Sequence, residues 1–285
     1  MIQTTDSILV TGATGKVGSE AVRLLVEGGS AVRAFVRSAD SVVPHGAEIA
    51  VGDLDDVRSI DAALVGISVV VLVTPGVPTQ EIALIEAAVR AGVRHIVYVT
   101  SKASLDAPIE RRRWHAQVEN VLRGSGIAYT LLRSNAYMQN TLGLGPVIAA
   151  TGAFASSAGE GRMGMVDTRD VAAVGAAIAA APEQHRGQTY HLTGPEALSY
   201  SDVAAVLTDL LGTSVSFSAI SADRERELMI ARGVTDAVAT MNAQAFHLNA
   251  SGDADWVTAD VELVTGRPAR SFREFAADHL RAFRA

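Results

Sequence analysis

The sequence contains no cysteine, only two lysines and no long apolar run. The absence of cysteine excludes disulfides, thiolate metal sites and a cysteine nucleophile, and no other metal site is predicted. The longest apolar runs, Val69–Val73 and Val171–Ala181, are too short to cross a bilayer, so we expect no membrane partner. Met1–Ser7 is polar and includes no basic and apolar leader, which predicts a cytoplasmic location.

Acidic side chains outnumber basic ones, 31 to 24, and the formal net charge is −7. This balance argues against nucleic acid as the main partner, because duplex binding depends on the neutralisation of phosphates. Arg111–Arg113 is the one dense basic run in the sequence, and we interpret it as the solvated start of a helix. With 285 residues, the chain is long enough for one large α/β domain or for one domain with a smaller appendage.

A strand followed by closely spaced glycines stands near the start of the chain. Ile8–Gly18 reads Ile-Leu-Val-Thr-Gly-Ala-Thr-Gly-Lys-Val-Gly, and an amphipathic stretch follows it. Gly12 permits a sharp turn, Gly15 lets the backbone approach a pyrophosphate, and Gly18 lets the next helix pack against the strand. The start of that helix offers N–H groups and a positive dipole to phosphates. The pattern predicts a dinucleotide-binding loop with contacts from Gly12, Thr14, Gly15, Lys16, Val17 and Gly18.

Up to Arg133 the chain alternates short β-branched runs with helical stretches, which indicates a parallel sheet covered on both faces. The predicted fold is a Rossmann-like, doubly wound α/β sheet. Its strands end at a common crevice, where we expect the reactive side chains to meet. We predict strands over 8–11, 31–36, 48–51, 68–73, 95–100 and 128–132, and helices over 16–28, 56–64, 79–91 and 109–124.

Beyond Arg133 this alternation becomes irregular. Several glycines between positions 143 and 164 predict a stretch that is partly loop over the crevice. Helices are predicted over 170–181 and 199–211, strands over 189–193 and 215–220, and a mostly helical segment over 224–246. We therefore divide the chain into a cofactor domain, residues 1–150, and a smaller α/β substrate lobe, residues 151–285, from which some segments return to the Rossmann core.

Arg37 stands at the end of the second predicted strand, where a site that prefers NAD carries an acidic residue for the ribose 2′-hydroxyl. A guanidinium instead forms charge-assisted bonds with a 2′-phosphate, so the sequence favours NADP(H). Arg33, on the same strand, is expected to be solvated. Asp53 and Leu54 follow the third strand. An acidic turn there accepts a hydrogen bond from the adenine amino group, caps the next helix, or does both.

Further candidate cofactor contacts follow the later strands. Thr74 and Pro75 end the fourth strand, and the proline exposes backbone carbonyls beside the nicotinamide ribose. Thr100 and Lys102 lie at the end of the fifth strand. Asn135 follows the sixth strand, where an amide suits the nicotinamide carboxamide; the alternative is a loop that packs under the second lobe.

The Tyr-x-x-x-Lys pair of ordinary short-chain dehydrogenases has one apparent match, Tyr98 with Lys102. Tyr98, however, lies within the fifth predicted strand, where four residues cover about 13 Å. In a helix, residues at this spacing have Cβ atoms about 6 Å apart. The match is therefore accidental, and no other tyrosine has a lysine four residues later.

His115 is the candidate that replaces this pair. His115, Val118 and Leu122 share one helix face, so the imidazole points inward along the apolar stripe. It is either a structural histidine or a hydrogen-bond donor to a carbonyl oxygen as hydride arrives. Ser101 is a candidate second donor or a strand-end turn residue, and Tyr137 is expected to line the crevice.

Together these segments resemble the NmrA-like group of atypical short-chain dehydrogenase/reductases. The resemblance implies a Rossmann core, a preference for NADP(H), a C-terminal lobe that holds a small, often aromatic substrate, and a monomer or homodimer. It extends over nearly the whole chain and rests on Thr11–Gly18, Arg37, Gly52-Asp53, Tyr98–Ser101, His115 with Glu119, Ser125–Arg133 and Thr265–Phe272.

Two functions are compatible with this resemblance. Some members look like reductases of quinones, ketones or enones, which implies hydride transfer from NADPH to a conjugated or aromatic carbonyl of a small hydrophobic molecule. Others bind the dinucleotide without known chemistry and act as redox sensors through a protein partner. On the first interpretation, the catalytic candidates are Ser101, His115 and Tyr137.

Overall fold

The computed structural model describes residues 7–284. The prediction that Met1–Ser7 includes no basic and apolar leader falls mostly on residues 1–6, which lie outside the described residues. The strands are β1 Ser7–Val10, β2 Ala31–Val36, β3 Glu48–Val51, β4 Val69–Leu72, β5 His95–Ser101, β6 Ala128–Ser134, β7 Ala153–Ser156, β8 Thr189–Leu192 and β9 Ser216–Ala219. The α-helices are α1 Lys16–Glu27, α2 Val57–Ala63, α3 Pro78–Ala91, α4 Glu110–Gly124, α5 Gly145–Thr151, α6 Thr168–Ala180, α7 Tyr200–Leu211, α8 Ala222–Ala231, α9 Asp236–Ala250, α10 Asp260–Thr265 and α11 Phe272–Asp278. Short 3₁₀ helices cover Met138–Leu144, Pro182–His185 and Leu280–Phe283.

Seven strands form one sheet in the order β3-β2-β1-β4-β5-β6-β8. The pairings that join β3 through to β6 are all parallel, with Ile8 opposite Val69 and Val97 opposite Thr130. Because β1 lies between β2 and β4, the chain winds away from β1 in both directions and leaves a crevice at the carboxyl ends of these strands. The predicted Rossmann-like, doubly wound sheet is confirmed.

The chain divides into two compact units, the first of which contains most of this sheet. It comprises the residues up to Ser134, Thr168–His191 and Leu263–Gly266. On one face of the sheet, alternate strand residues such as Leu72 and Tyr98 form a buried core with the apolar sides of α2, α3 and α4. Helices α1 and α6 pack together and against the strands. Apolar residues at helical spacing thus provide each layer with its buried face.

The second unit comprises Asn135–Asp167, Leu192–Glu262 and the residues from Arg267 onward. Strands β7 and β9 form a two-stranded parallel sheet. An aromatic cluster forms part of its core, with the Phe154 ring 5.6 Å from the Tyr200 ring and 5.4 Å from the Phe217 ring between centroids. Helices α7 and α11 each begin at a capping box, Ser199 with Asp202 and Ser271 with Glu274, which satisfies the first backbone N–H groups.

Two expectations for the chain beyond Arg133 agree with the structure, and one expectation for α4 does not. The stretch between positions 143 and 164 is partly loop, as predicted, and contains the short elements α5 and β7. The segment over 224–246 is mostly helical, as predicted, and consists of two helices, because the chain turns between them at Gly233 with φ +88°. Arg111–Arg113 is not a solvated run: all three side chains are half-buried, and Arg113 donates to Ala107 O over 2.6 Å.

Within residues 7–284, no helix is long and apolar enough to span a membrane.

Candidate active site

The carboxyl ends of β1 and β4 are joined by the side chain of Thr11. Its Oγ1 donates a hydrogen bond to Val73 O over 2.8 Å and accepts one from Val73 N over 2.8 Å. Directly after it, Gly12 has φ +57°, and a Cβ there would lie 2.6 Å from Val73 O. Both the left-handed backbone and the close approach of β4 therefore require glycine at position 12.

The other two glycines shape the start of α1. Gly15 N donates to Gly12 O over 2.8 Å, which closes the turn. A Cβ on Gly18 would lie only 2.2 Å from Gly12 O, so the helix packs against the turn at backbone distance. Gly15 is the N-cap of α1 and has no side chain to satisfy the first N–H groups of the helix. Thr14, Gly15 and Lys16 are exposed and Val17 is buried. This loop fits an anionic group such as a pyrophosphate at the helix start.

Two arginines on β2 and just after it have different surroundings. Arg33 is not solvated as the sequence analysis expected: it donates to Ala63 O and Val65 O, each over 2.8 Å, and pairs with Glu48 at 3.0 Å. Arg37 directly follows β2 and is exposed. The strand end thus carries an accessible guanidinium at the position predicted for the 2′-phosphate.

The acidic turn after β3 is built by Asp53 and Asp56. The Asp53 carboxylate accepts a hydrogen bond from Asp55 N over 3.0 Å, and Asp53 itself is exposed. Asp56 caps α2 by accepting from Arg58 N over 3.0 Å. The helix-capping alternative considered for Asp53 therefore belongs to Asp56, while Leu54 packs against the core of the first unit.

Polar residues continue along the end of β5. Thr100 is 4% exposed, whereas Ser101 is half-buried and Lys102 is exposed. Tyr98 lies within β5, as the sequence predicted, so the Tyr98 and Lys102 pair does not have helical spacing. The Tyr-x-x-x-Lys mechanism therefore has no counterpart at these positions.

Tyr98 has a different partner, His115 of α4. The Tyr98 hydroxyl lies 3.2 Å from His115 Nδ1, and the ring centroids are 6.4 Å apart. Tyr98 is 0% exposed and His115 is 8% exposed, so this hydrogen bond is buried. The inward orientation predicted for His115 is confirmed, and the imidazole makes a specific polar contact inside the apolar stripe.

The loop after β4 lies on another side of the same imidazole. A Cβ on Gly76 would be 3.6 Å from His115 Cε1, and Gly76 has φ +86°. Gly76 N donates to Thr74 Oγ1 over 3.1 Å, and the Thr74 hydroxyl in turn donates to Glu81 Oε1 of α3. Glu81 is 1% exposed. The buried Glu81 carboxyl group thus holds the Thr74 hydroxyl, which in turn fixes the Gly76 peptide beside His115. Pro75, between Thr74 and Gly76, is exposed.

Glu81, Tyr98 and His115 form a buried cluster of titratable groups, and burial is the largest influence on the pKa of each. Desolvation, with a smaller contribution from the charge of Arg111, lowers the pKa of His115 to about 4. Desolvation raises the pKa of Glu81, and the hydrogen bond from Thr74, together with the nearby Tyr98 hydroxyl, lowers it in part. The pKa of Tyr98 is raised by desolvation first and then by the charge of Glu81. Near neutral pH the imidazole is therefore uncharged and the phenol keeps its proton.

The two candidates that follow β6 belong to the second unit. The Asn135 amide is used by the protein itself: Nδ2 donates to Ala254 O over 3.0 Å and Oδ1 accepts from Ala136 N over 2.7 Å. These contacts support the packing alternative for Asn135. Tyr137 is half-buried and pairs with Val166 in an isolated β-bridge.

Over residues 7–284, no group of three or more histidine or acidic side chains is placed to hold a metal ion.

Two residues of this cluster, Tyr98 and Glu81, were not predicted as functional. Glu81, Leu84, Ile85 and Ala88 lie on one buried helix face, so a single acidic residue interrupts an apolar stripe in the sequence. That interruption is a signal for a buried carboxyl group. The Tyr98 contact has no comparable signal, because 17 residues separate it from His115.

Comparisons with known proteins agree with this fold. The profile of the NmrA-like family matches residues 4–275. The NAD(P)H azoreductase of Xenophilus azovorans is 39% identical over 285 residues, which cover 98% of this chain and 99% of that protein. The (4-alkanoyl-5-oxo-2,5-dihydrofuran-3-yl)methyl phosphate reductase of Streptomyces griseus is 36% identical over 282 residues, which cover 97% and 99% of the two chains.

A solved structure is similar over nearly the same length. The NADPH-dependent quinone oxidoreductase of Escherichia coli, in complex with NADPH, has a TM-score of 0.87 and 28% sequence identity to this chain. The match covers 96% of this chain and 99% of the quinone oxidoreductase.

Proposed function

The chain belongs to the NmrA-like family, and from this premise we propose that it transfers hydride from NADPH to a conjugated, electron-poor acceptor. It is an NAD(P)H-dependent oxidoreductase whose cofactor is NADP(H). The proposed substrate is a small hydrophobic molecule with a quinone, enone or conjugated ketone group. The observation that carries the proposal is a buried, uncharged His115 beside Gly76, in the same unit as the glycine loop.

The proposed cofactor site begins at the glycine loop. The first N–H groups of α1 bind the pyrophosphate, because Gly15 leaves them uncapped, and Arg37 binds the 2′-phosphate. When bound, NADPH supplies the hydride. The link from Thr11 to Val73 holds the loop against the end of β4, three residues before Gly76. The other proposed contacts are Asp53, Leu54, Thr74, Pro75, Thr100 and Lys102.

In this proposal His115 acts as an uncharged hydrogen-bond donor. A neutral imidazole has one N–H group, which stabilises the negative charge that develops on the acceptor oxygen. One hydride and one proton convert a quinone into its hydroquinone, and solvent supplies the proton. Ser101 is proposed as a second donor.

Conjugation of the acceptor is supported by the names of the similar proteins. They are reductases of an azo group, of a quinone and of a 5-oxo-2,5-dihydrofuran that carries an alkanoyl group. In each substrate the double bond that is reduced can belong to a conjugated, electron-poor system. Such acceptors take up hydride with weaker proton donation than a saturated ketone, which fits a site without the Tyr-x-x-x-Lys pair.

The test is NADPH oxidation, followed by absorbance, with a panel of naphthoquinones, cyclic enones, an azo dye and a saturated ketone. We expect turnover with at least one quinone or enone and none with the saturated ketone. His115→Ala is expected to lower kcat about a hundredfold, the low end of what a positioned donor contributes, without a change in the Kd for NADPH.

His45→Ala is the matched control. His45 is exposed and precedes Gly46, whose Cβ position lies 2.7 Å from Val26 at the far end of α1, away from the glycine loop. It should leave kcat unchanged. Tight NADPH binding without oxidation of any acceptor would contradict the reductase proposal and favour a redox sensor that acts through a protein partner.

A further inference from the structure

The imidazole of His115 has two ring nitrogens, and among residues 7–284 only one of them has a hydrogen-bond partner. Nδ1 lies 3.2 Å from the Tyr98 hydroxyl, in a region where neither residue is more than 8% exposed. Nε2 makes no hydrogen bond with any residue in the described part of the chain. The position of the single ring proton decides whether Nε2 is a donor or an acceptor, and hence what the histidine can do.

We propose that Tyr98 is a positioning residue: its hydroxyl donates to His115 Nδ1 and thereby fixes the imidazole as the Nε2–H tautomer. The catalytic consequence of this inference rests on the proposed function, because only the Nε2–H tautomer gives His115 an N–H group that can donate to the substrate oxygen. The proposal itself concerns a hydrogen bond within the protein, so it can be tested without any substrate.

The direction of the hydrogen bond follows from the two other polar groups beside Tyr98, the Glu81 carboxyl group and the Thr100 hydroxyl. If His115 donated from Nδ1, the Tyr98 hydrogen would have to go to one of these groups. The Oε1 atom of Glu81 accepts from Thr74, and both Glu81 Oε2 and Thr100 Oγ1 are buried without a hydrogen-bond partner. Neither of these two atoms is therefore within hydrogen-bond distance of the Tyr98 hydroxyl, which leaves His115 Nδ1 as the acceptor of its proton.

A second set of contacts places the Gly76 backbone near the other side of the ring. The Glu81 carboxyl group binds the Thr74 hydroxyl, Thr74 accepts from Gly76 N, and a Cβ on Gly76 would lie 3.6 Å from His115 Cε1. Tyr98 comes from β5 and Gly76 from the loop after β4, so the surroundings of the imidazole come from two neighbouring strands. The hydrogen bond from Tyr98 fixes the orientation of the ring as well as its protonation.

The experiment is long-range ¹H–¹⁵N NMR of the full chain labelled with ¹⁵N-histidine, with NADP⁺ added. The chain has seven histidines, and His115→Gln identifies the signals of His115 by their loss. We expect an uncharged His115 with its proton on Nε2. Tyr98→Phe should produce a mixture of both tautomers and, with an acceptor that the wild type reduces, lower kcat about tenfold, as for one lost hydrogen bond, at unchanged KM for NADPH.

Tyr129→Phe is the control, since it also removes one phenol hydroxyl, which accepts from Arg123 on the surface. It should leave the His115 signals and kcat unchanged. A proton on Nδ1 in the wild type, or the same His115 signals in Tyr98→Phe as in the wild type, contradicts the proposal. If Tyr98→Phe does not fold, the wild-type spectrum alone decides. If the enzyme reduces no acceptor but the His115 proton is on Nε2, the proposed function is contradicted and the tautomer assignment is supported.

Discussion

Single side chains around His115 take their properties from burial and from neighbours distant in the sequence. Helical spacing was enough to predict that His115 points inward, because an apolar stripe defines the buried face of α4. The strand position of Tyr98 was enough to exclude a Tyr-x-x-x-Lys pair. Neither pattern specifies which side chain of β5 meets which side chain of α4. The contact between Tyr98 and His115 therefore became visible only in three dimensions.

Arg33 and Arg37 show the same limit on the cofactor side. Both alternate onto one face of the strand region, and the sequence distinguishes them only by position, since Arg37 stands at the strand end and Arg33 does not. Arg33 is engaged by Glu48 and by two carbonyls at the end of α2, which is a tertiary arrangement. Arg37 stays exposed at the strand end, and it is the guanidinium that we assign to the 2′-phosphate.

Arg37→Asp is expected to reverse the cofactor preference. It removes a charge-assisted hydrogen bond, worth about 1.5–3 kcal/mol, and places a carboxylate beside the 2′-phosphate. The Kd for NADPH should rise about 10- to 100-fold, whereas the Kd for NADH, which lacks this phosphate, should change little. Fluorescence titration with each cofactor measures both constants. An unchanged ratio of the two affinities would show that Arg37 does not bind the 2′-phosphate.

At the scale of secondary structure, predictability followed the strength of the periodic pattern. The strands β1 to β6 and the helices between them were predicted within one or two residues, since each has an apolar run or stripe bounded by glycine, proline or a cap. Strand β7 has only four residues and includes Ala153 and Ala155, so its pattern does not stand out from a loop. The division between α8 and α9 depends on a turn at Gly233 within an otherwise helical composition.

The glycine loop also gives a prediction at this scale, because Gly15 and Gly18 differ in how much space a side chain would have. A Cβ on Gly18 would lie 2.2 Å from Gly12 O, whereas one on Gly15 would lie 3.2 Å from the same atom. Gly15 has φ −85° and ψ 171°, which alanine adopts without strain. Gly18→Ala should therefore displace α1 and destabilise the fold, and Gly15→Ala should mainly obstruct the pyrophosphate.

Thermal unfolding and NADPH titration of the two variants separate these effects. We expect Gly18→Ala to lower Tm by about 5 °C or more, as a steric conflict with backbone of about 2 kcal/mol would. Gly15→Ala should keep Tm within about 2 °C of the wild type and weaken NADPH binding at least about tenfold. Equal loss of Tm in both variants would mean that Gly15 has a structural role only.

For the whole molecule, the predicted doubly wound sheet follows from the alternation of strands and helices in the first half of the chain. The way in which the chain is shared between the two units is harder to obtain from the sequence. Thr168–His191 and Leu263–Gly266 belong with the first unit although the second unit surrounds them in the sequence. Hydrophobic periodicity predicts the helix Thr168–Ala180 but contains no information about the sheet face that covers it. Long-range packing determines that assignment.

The stability of the whole molecule should fall steeply as the pH is lowered, because two histidines are buried uncharged. Burial, with the charges of Arg186 and His185, lowers the pKa of His95 to about 4, and the pKa of His115 is also about 4. In the unfolded chain a histidine has a pKa of about 6.5. Below that pH the unfolded state binds protons that the folded state does not, so stability is fully present above pH 6.5 and is lost as the pH falls towards 4. Between about pH 6.5 and 5, each group should remove about 2 kcal/mol from the free energy of unfolding.

Glu81 acts in the opposite direction, since burial raises its pKa and protonation therefore favours the folded state as the pH falls. Glu81 is unchanged in the histidine variants, so its contribution cancels when their slopes are compared with that of the wild type. Urea unfolding from about pH 7.5 to 5 should show a smaller loss of stability in His95→Gln than in the wild type, by about 2 kcal/mol, because the glutamine keeps a partner for Thr130 but does not titrate. His45→Gln, which alters an exposed histidine, should retain the wild-type slope. Parallel curves for the wild type and His95→Gln would mean that the folded state takes up a proton at His95 as readily as the unfolded chain does.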